Sequence, residues 1–330
     1  MIKKTFIAWN KFDRRSDLLA RHLDASIHFI HFGQPGQIFL LPIRYTIQAF
    51  KTWSILRAKK PDIVLVQVSP TFAALVVYIY AKLHNIQFIM DAHSDNFIGL
   101  WSLMTWLLRF LAKRALTTVV PSKPLAEIVQ SWEDCHVSVL GYTPGQYPPG
   151  NDCPILKDKF VIAVPSSFQE DEPLEDILEA ARKLQDVSFY ITGNTKRTSS
   201  ELLEGSPNNC TFTGYIPYEE YIGLLRTSDA IMVLTNWQDT LLMGAYEAVS
   251  LGKPLITSNS QLLRENFGQG TVQVKISIPG IIEGVRQTQQ DIKILESNIL
   301  LLRKKLTHQW DNGLSNLNKL ISSNVETRQV

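Results

Sequence analysis

The chain has 330 residues, and a usual domain has about 150, so its length predicts two domains. Hydrophobic residues make up 45% of the chain and charged residues 19%, which is the balance of a globular protein. The net charge is +2, but residues 1–150 hold 16 Lys and Arg against 9 Asp and Glu, whereas residues 151–330 hold 17 against 22. The basic first half suits an anionic partner, although ordinary surface charge explains such an excess equally well.

Cysteine usage and hydropathy exclude several classes of protein. The three cysteines, Cys135, Cys153 and Cys210, form neither a C-x-x-C pair nor a zinc-binding spacing, which favours a reducing, cytosolic setting. The longest uncharged apolar stretch, "TFAALVVYIYA", is shorter than the roughly 20 residues of a spanning helix. Lys11 interrupts the first apolar run before it could serve as a signal peptide. We therefore expect a cytoplasmic protein without a transmembrane segment.

Short apolar runs alternate with helical patterns over the first 140 residues. The apolar runs are "KTFIAW", "SIHFIHF", "PDIVLVQV", "IQFIMDA", "LTTVVPS" and "HVSVL". Helical patterns lie between most of them, at 15–23, 40–58, 71–84, 98–115 and 123–131. Continuous apolar runs are typical of strands covered on both faces, so the alternation predicts a parallel, doubly wound sheet.

A stretch rich in glycine and proline, "GYTPGQYPPGNDCP" at 141–154, then predicts an interdomain linker. The alternation resumes beyond it. Its strand runs are "KFVIAVPSS", "VSFYITGN", "CTFTGY", "DAIMVLT", "KPLITS" and "GTVQVKI", with helices near 173–185, 217–227 and 242–251. The tail carries apolar residues at helical spacing and predicts one or two amphipathic helices. We expect two Rossmann-like domains, at 1–145 and 155–290, facing a cleft, with C-terminal helices at 291–330.

Ligands of such sheets bind at the carboxyl ends of the strands. The usual motifs of dinucleotide-binding, P-loop, serine hydrolase and zinc protease sites are absent from the sequence. It also has no Asp-x-Asp pair that would hold a metal-diphosphate complex. We therefore expect an enzyme that needs neither a cofactor nor a metal ion.

The segment "DTLLMGAYEAVSLGKPLITS", 239–258, carries two acids around a helix start. A helix that begins near Leu242 points the N–H groups of Leu242, Met243 and Gly244 at the cleft, which suits a diphosphate. Asp239 precedes the helix and Glu247 lies about one turn inside it. Because carboxylates accept hydrogen bonds but cannot donate them, they suit sugar and ribose hydroxyls. The pattern predicts a nucleotide-sugar site.

This segment resembles the donor-binding segment of GT-B glycosyltransferases, most closely glycosyltransferase family 4, whose signature is an acid, seven residues and Glu, followed by a G-K-P turn. The resemblance implies that Glu247 binds the ribose, that Asp239 faces the donor sugar and that 242–244 bind the diphosphate. Looser similarity extends to "DVSFYITGN", which adds Gly193 and Asn194 as donor contacts. The implied activity is sugar transfer from a nucleotide-diphosphate sugar, such as a UDP-sugar, to a glycan or lipid-linked acceptor in cell-surface polysaccharide or glycolipid synthesis.

The chain departs from that family in two ways. Its first acid is Asp239 where the family usually has Glu. The basic pair that grips the diphosphate is absent, and "VPSSFQEDEP" stands in its place. We expect the diphosphate charge to be met by the Ser166 and Ser167 hydroxyls and by Arg14 and Arg15, although a solvated first helix turn explains the two arginines equally well.

In the first half, "IMDAHSDNF" sets Asp91, His93 and Asp95 at the end of a buried strand. By the family resemblance, His93 contacts the donor sugar or the acceptor. An inverting enzyme would use one of these three side chains as its general base, whereas a retaining one would rely on leaving-group stabilisation. His93 as a purely structural residue is the alternative.

Residues 98–116 combine Trp101, Trp106 and Phe110 with basic side chains. Such a helix suits the surface of an anionic membrane, and the alternative is an ordinary helix layered on the sheet. We expect peripheral association with the inner face of the cell membrane and no nucleic-acid partner. Two other functions stay open, a sugar-nucleotide epimerase of the same fold and a non-catalytic nucleotide-sugar-binding protein.

Overall fold

The computed structural model describes residues 2–33, 41–93, 96–97, 104–145, 147–151, 159–238 and 240–329. It divides into two compact units. Met1–Tyr142 and Gln309–Val330 form the first unit, and Thr143–His308 form the second.

The first unit is built on a six-stranded parallel sheet in the order β2-β1-β3-β4-β5-β6. Its strands are β1 (Lys4–Ala8), β2 (Ala25–Phe29), β3 (Ile63–Gln67), β4 (Gln87–Asp91), β5 (Thr117–Val120) and β6 (Val137–Val139). Its helices are α1 (Arg14–His22), α2 (Leu41–Lys59), α3 (Thr71–Leu83), α4 (Thr105–Ala112) and α5 (Lys123–Gln130).

Alternation along the central strand β3 builds a core on each face of this sheet. Val64 and Val66 pack into a cluster with apolar residues of α2 to α5. Ile63 and Leu65 point the other way and pack with α1 and the end of the last helix, where Trp310 lies. Because all five residues of β3 are buried, its sequence shows a continuous apolar run rather than an alternating one.

The second unit has a parallel sheet in the order β12-β11-β10-β7-β8-β9. Its strands are β7 (Phe160–Pro165), β8 (Val187–Thr192), β9 (Cys210–Gly214), β10 (Ala230–Val233), β11 (Leu255–Ser258) and β12 (Thr271–Val274). Its helices are α6 (Leu174–Arg182), α7 (Ser200–Glu204), α8 (Tyr218–Thr227), α9 (Met243–Leu251) and α10 (Gln261–Phe267).

The tail is a single helix, α11 (Ile278–Gln329). Ile281 and Val285 pack in the core of the second unit, whereas Leu317 and Ile321 pack in the core of the first. The helix starts at Ile278 because apolar residues at helical spacing already follow β12, which places its beginning before the expected 291. None of the described helices is long and apolar enough to cross a bilayer.

The two doubly wound sheets confirm the predicted α/β class. Most of the predicted helices begin and end within three residues of the observed ones. The exception is 98–115, where the described helix is Thr105–Ala112 and 98–103 lie outside the described residues. Sequence reasoning missed α7 and α10, because five and seven residues are too few to show a helical period.

The glycine- and proline-rich segment packs on the second unit rather than standing apart from it. The Asn151 N–H donates to the Glu219 carbonyl at 3.1 Å. A Cβ atom on Gly223 of α8 would lie 1.8 Å from the Asn151 carbonyl oxygen, so only glycine fits there. Gly150 has a φ of +82° and lies against the same point of α8. These two glycines let the chain run directly along the helix.

Candidate functional site

The strand order of the second sheet reverses between β7 and β10, and ligands of open parallel sheets bind outside the carboxyl ends of strands at such a point. Helix α9 begins here. A Cβ atom on Gly244 would lie 2.8 Å from Val233 Cγ2 and 3.5 Å from Pro165 Cβ. Gly244 therefore allows the first turn of α9 to pack against the ends of both strands.

Helix α9 is almost entirely apolar, and Glu247 is its one acid. Leu242 precedes the helix and has no side-chain oxygen, so it caps none of the N–H groups of the first turn. The helix ends at Leu251, and its C-cap Gly252 has a φ of +70°, the left-handed conformation that glycine adopts readily. Glu247 is partly exposed and accepts a hydrogen bond from the Tyr221 hydroxyl of α8. Asp239 lies outside the described residues.

In the loop after β7, Ser166 and Ser167 have a partner within the protein. The Glu172 carboxylate accepts hydrogen bonds from the Ser166 hydroxyl, from the Ser167 hydroxyl at 2.6 Å and from the Phe168 N–H at 3.0 Å. The Ser167 N–H also donates to it, at 2.9 Å. Ser166 and Ser167, predicted to bind the donor diphosphate, thus bind an acid of the same chain. A carboxylate takes this position because converging N–H and O–H donors stabilise an anion.

Gly193 and Asn194, which follow β8, stabilise the same edge of the sheet. A Cβ atom on Gly193 would lie 2.0 Å from the Ser166 carbonyl oxygen, and its φ of +150° also favours glycine. The Asn194 side chain accepts a hydrogen bond from the Lys196 N–H at 3.3 Å and caps one turn of 3-10 helix, Thr195–Arg197. In the structure, Gly193 permits a close backbone contact and Asn194 caps a turn.

In the first unit, Asp91 and His93 lie together at the end of β4. His93 Nε2 is 3.1 Å from Asp91 Oδ2, and Arg15 Nε is 3.3 Å from Asp91 Oδ1. The His93 N–H donates to Asn96 Oδ1 at 2.9 Å, and Asn96 Nδ2 donates to Ser69 Oγ at 2.9 Å. These contacts hold His93 from both its ring and its backbone. Asp95 lies outside the described residues.

Charge pairing governs the protonation of this group. Burial favours the neutral form of Asp91, but the Arg15 guanidinium and His93 outweigh it and hold the pKa of Asp91 below its usual value. Burial also opposes the charged form of His93, yet the Asp91 carboxylate outweighs it and raises the pKa of His93. The side chain of Asp91 is 0% exposed and that of His93 15%, so of the two only His93 reaches solvent.

Arg15, predicted to bind the donor diphosphate, makes its contacts within the first unit. Arg15 is 4% exposed. Its Nη1 and Nη2 donate to the carbonyl oxygens of Gly141 at 2.8 Å and Leu140 at 2.7 Å, and its Nε faces Asp91. All three nitrogens of this buried guanidinium have partners within the first unit, and its Nε holds Asp91 in place. Arg14, the first residue of α1, is partly buried.

Sequence reasoning missed Tyr221, Glu172 and Asn96. Each acts through a contact with a residue on another element or loop, and no spacing in the sequence marks such a contact. The sequence shows the acidic run that contains Glu172, but it does not show that the Glu172 carboxylate accepts hydrogen bonds from Ser166 and Ser167. Among the described residues, no three His, Cys, Asp or Glu side chains come together in a way that would hold a metal ion.

Solved structures share this fold along nearly the whole chain. Sucrose-phosphate synthase from Thermosynechococcus elongatus matches with a TM-score of 0.74 and 10% identity, over 98% of this chain and 100% of that chain. HepE from Anabaena, in complex with UDP and glucose, matches with a TM-score of 0.70 and 13% identity, over 99% and 100%. A putative UDP-N-acetylglucosamine 2-epimerase from Listeria monocytogenes matches with a TM-score of 0.69 and 14% identity, over 99% and 98%. The protein has the GT-B fold of glycosyltransferases.

The sequence of the second unit also matches a known family. Residues 152–290 match the family model described as glycosyl transferases group 1. The match covers every strand of the second sheet and helix α9 with Glu247. The second unit therefore carries a glycosyl transferases group 1 domain, which confirms the resemblance that its sequence motifs indicated. No curated protein matches the chain in sequence.

Proposed function

We propose that the protein transfers a sugar from a nucleotide-diphosphate donor, a UDP-sugar, to a glycan or lipid-linked acceptor. The main support is Glu247, the one acid of apolar helix α9. This helix lies in the glycosyl transferases group 1 domain, and its first turn packs at the carboxyl ends of β7 and β10. Anabaena HepE, a protein of the same fold, was solved with UDP-glucose, which supports a UDP-sugar for this chain as well.

In this proposal each part of the donor has its own partner. Glu247 accepts hydrogen bonds from the ribose hydroxyls, because an ionised carboxylate is a strong acceptor. The N–H groups at 242–244 bind the diphosphate, which the positive end of the helix dipole favours. Asp239 faces the transferred sugar, an assignment that rests on the sequence resemblance alone. With Ser166, Ser167 and Arg15 already paired, the start of α9 takes the largest share of the diphosphate charge.

His93 is our candidate for the group that acts on the sugar or the acceptor hydroxyl. Asp91 is buried and paired with both Arg15 and His93, so it orients the imidazole instead of touching substrate. If transfer inverts the sugar configuration, a neutral His93 takes the acceptor proton. If transfer retains it, a protonated His93 donates a hydrogen bond to the sugar or to its leaving phosphate.

We also propose that α4 rests on the inner face of an anionic membrane, where a lipid-linked acceptor would be met. Trp106 is 69% exposed and Phe110 38% exposed. Arg109 and Arg114 are exposed beside them, and the Arg114 guanidinium carbon lies 3.6 Å from the centre of the Phe110 ring. Exposed aromatic rings beside basic groups suit a lipid interface, and α4 has no acid to oppose it.

The test of the function is incubation with a panel of nucleotide sugars, with and without membrane lipid extract. A transferase releases nucleotide only when an acceptor is present. An epimerase, which the likeness to UDP-N-acetylglucosamine 2-epimerases makes the second candidate, converts the donor sugar without one. Binding without turnover would indicate a non-catalytic protein and overturn the proposal.

Replacement of Glu247 tests the ribose assignment. Glu247→Gln keeps the size of the side chain but removes the charge of the acceptor, so we expect nucleotide affinity to fall by about ten- to a hundredfold. Isothermal titration calorimetry with UDP measures this change, and a thermal unfolding curve checks that the variant folds. Unchanged UDP affinity in a folded variant would contradict the assignment.

A further inference from the structure

Tyr221 and Glu247 are paired across two neighbouring helices of the second unit. Tyr221 lies on α8, Glu247 lies on α9, and the two helices pack together. The Tyr221 hydroxyl donates a hydrogen bond to Glu247 Oε2. Both side chains are partly buried. A partly buried carboxylate on an apolar helix is costly unless it is hydrogen-bonded, and the phenol meets that need.

The tyrosine is a dependable donor at this position. Burial, followed by the nearby Glu247 carboxylate, raises the pKa of Tyr221 well above its ordinary value. The phenols of Tyr147 and Tyr218 add to this effect. The hydroxyl therefore keeps its proton at every physiological pH and always donates. A phenol also has few rotatable bonds, so this contact limits the orientations that the carboxylate can adopt.

We propose that Tyr221 is a positioning residue for donor binding, which fixes the Glu247 carboxylate in the orientation that accepts the two ribose hydroxyls. The inference rests on the proposed ribose role of Glu247. A carboxylate offers about four acceptor positions, and the Tyr221 hydroxyl occupies one of them. A carboxylate that is already ordered binds two adjacent hydroxyls more tightly, because no side-chain freedom is then lost on binding.

The experiment compares UDP with 2′-deoxy-UDP by calorimetry in the wild type, Tyr221→Phe and Glu247→Gln. The wild type should prefer UDP. We expect Tyr221→Phe to weaken UDP binding about tenfold, which corresponds to one charge-assisted hydrogen bond, and to weaken 2′-deoxy-UDP binding less, because that nucleotide keeps only one of the two ribose hydroxyls. A tyrosine that only stabilises the fold would lower both affinities alike, so the ratio of the two affinities separates positioning from stability.

Tyr80→Phe is the matched control. Its hydroxyl is buried in the first unit and donates to the Leu56 carbonyl at 2.9 Å, so the substitution removes the same atom and one hydrogen bond elsewhere. It should leave the preference for UDP intact. The double variant Tyr221→Phe, Glu247→Gln removes both partners of the pair and should bind UDP as weakly as Glu247→Gln alone.

Different results would count against the role of Tyr221 and against the ribose role of Glu247. Equal affinity of the wild type for the two nucleotides, unaffected by Glu247→Gln, would overturn the ribose assignment and the role of Tyr221 with it, whereas the proposed function fails only if the nucleotide-sugar panel shows no acceptor-dependent turnover. A preference that Glu247→Gln abolishes and Tyr221→Phe preserves would overturn only the role of Tyr221. Additive losses in the double variant would do the same, since they would mean that the tyrosine acts independently of the carboxylate.

Discussion

The buried pair of Arg15 and Asp91 allows a sharp prediction about stability. Arg15→Met keeps the apolar stem of the side chain but removes the guanidinium. It leaves the carboxylate of Asp91, which is 0% exposed, without its arginine, and the carbonyl oxygens of Leu140 and Gly141 without their donors. Removing one partner of a buried ion pair costs about 3–5 kcal/mol. We expect the free energy of unfolding of the first unit to fall by roughly that amount at pH 8.

The loss should depend on pH. The pKa of His93 is raised in the folded state, so the stability that its protonation contributes is complete below about pH 6.5 and is lost as pH rises through the folded value. Arg15 opposes that protonation and Asp13 favours it. Without Arg15, a protonated His93 compensates Asp91 more fully at low pH. The destabilisation by Arg15→Met should therefore be smaller at pH 6 than at pH 8.

Urea denaturation followed by tryptophan fluorescence measures this effect, because six of the seven tryptophans lie in the first unit. Arg21→Met is the matched control, the same change on the same helix at a side chain that is 74% exposed and paired with Asp17 at 3.0 Å. It should cost less than about 1 kcal/mol. Equal effects of the two substitutions, or an Arg15→Met loss that is the same at both pH values, would refute the reasoning.

Two other predictions concern the second unit and the surface of α4. Glu172→Gln replaces a carboxylate that accepts from two hydroxyls and two N–H groups by an amide with one acceptor oxygen. We expect a loss of about 1–3 kcal/mol by thermal unfolding, against less than about 0.5 kcal/mol for exposed Glu170→Gln, and equal losses would count against it. The wild type should sediment with anionic vesicles at low salt, and Trp106→Ala should sediment less than Trp237→Ala, a variant of a tryptophan 54% exposed in the second unit. If the wild type ignores anionic vesicles, α4 is an ordinary surface helix.

The sequence alone determined the architecture of both units. Runs such as "PDIVLVQV" predict fully buried parallel strands, and β3 is buried along its whole length. The predicted helix near 242–251 agrees with α9, which ends at Leu251 just before Gly252 adopts a left-handed conformation. Spacing and residue type also marked Glu247 on an apolar helix, and the family model of the second unit covers that helix. These features are local, so a few consecutive residues suffice to encode them.

The partners of the polar side chains were decided only by the tertiary structure. Arg15 and Asp91 are 76 residues apart, and they meet because the sheet order sets the carboxyl ends of β1 and β4 at one edge. Ser166 and Ser167 turn to Glu172 where the chain passes through Phe168 at a φ of +54°. A hydroxyl or guanidinium bonds to whichever group the completed fold brings within about 3 Å, and no periodicity in the chain specifies that distance.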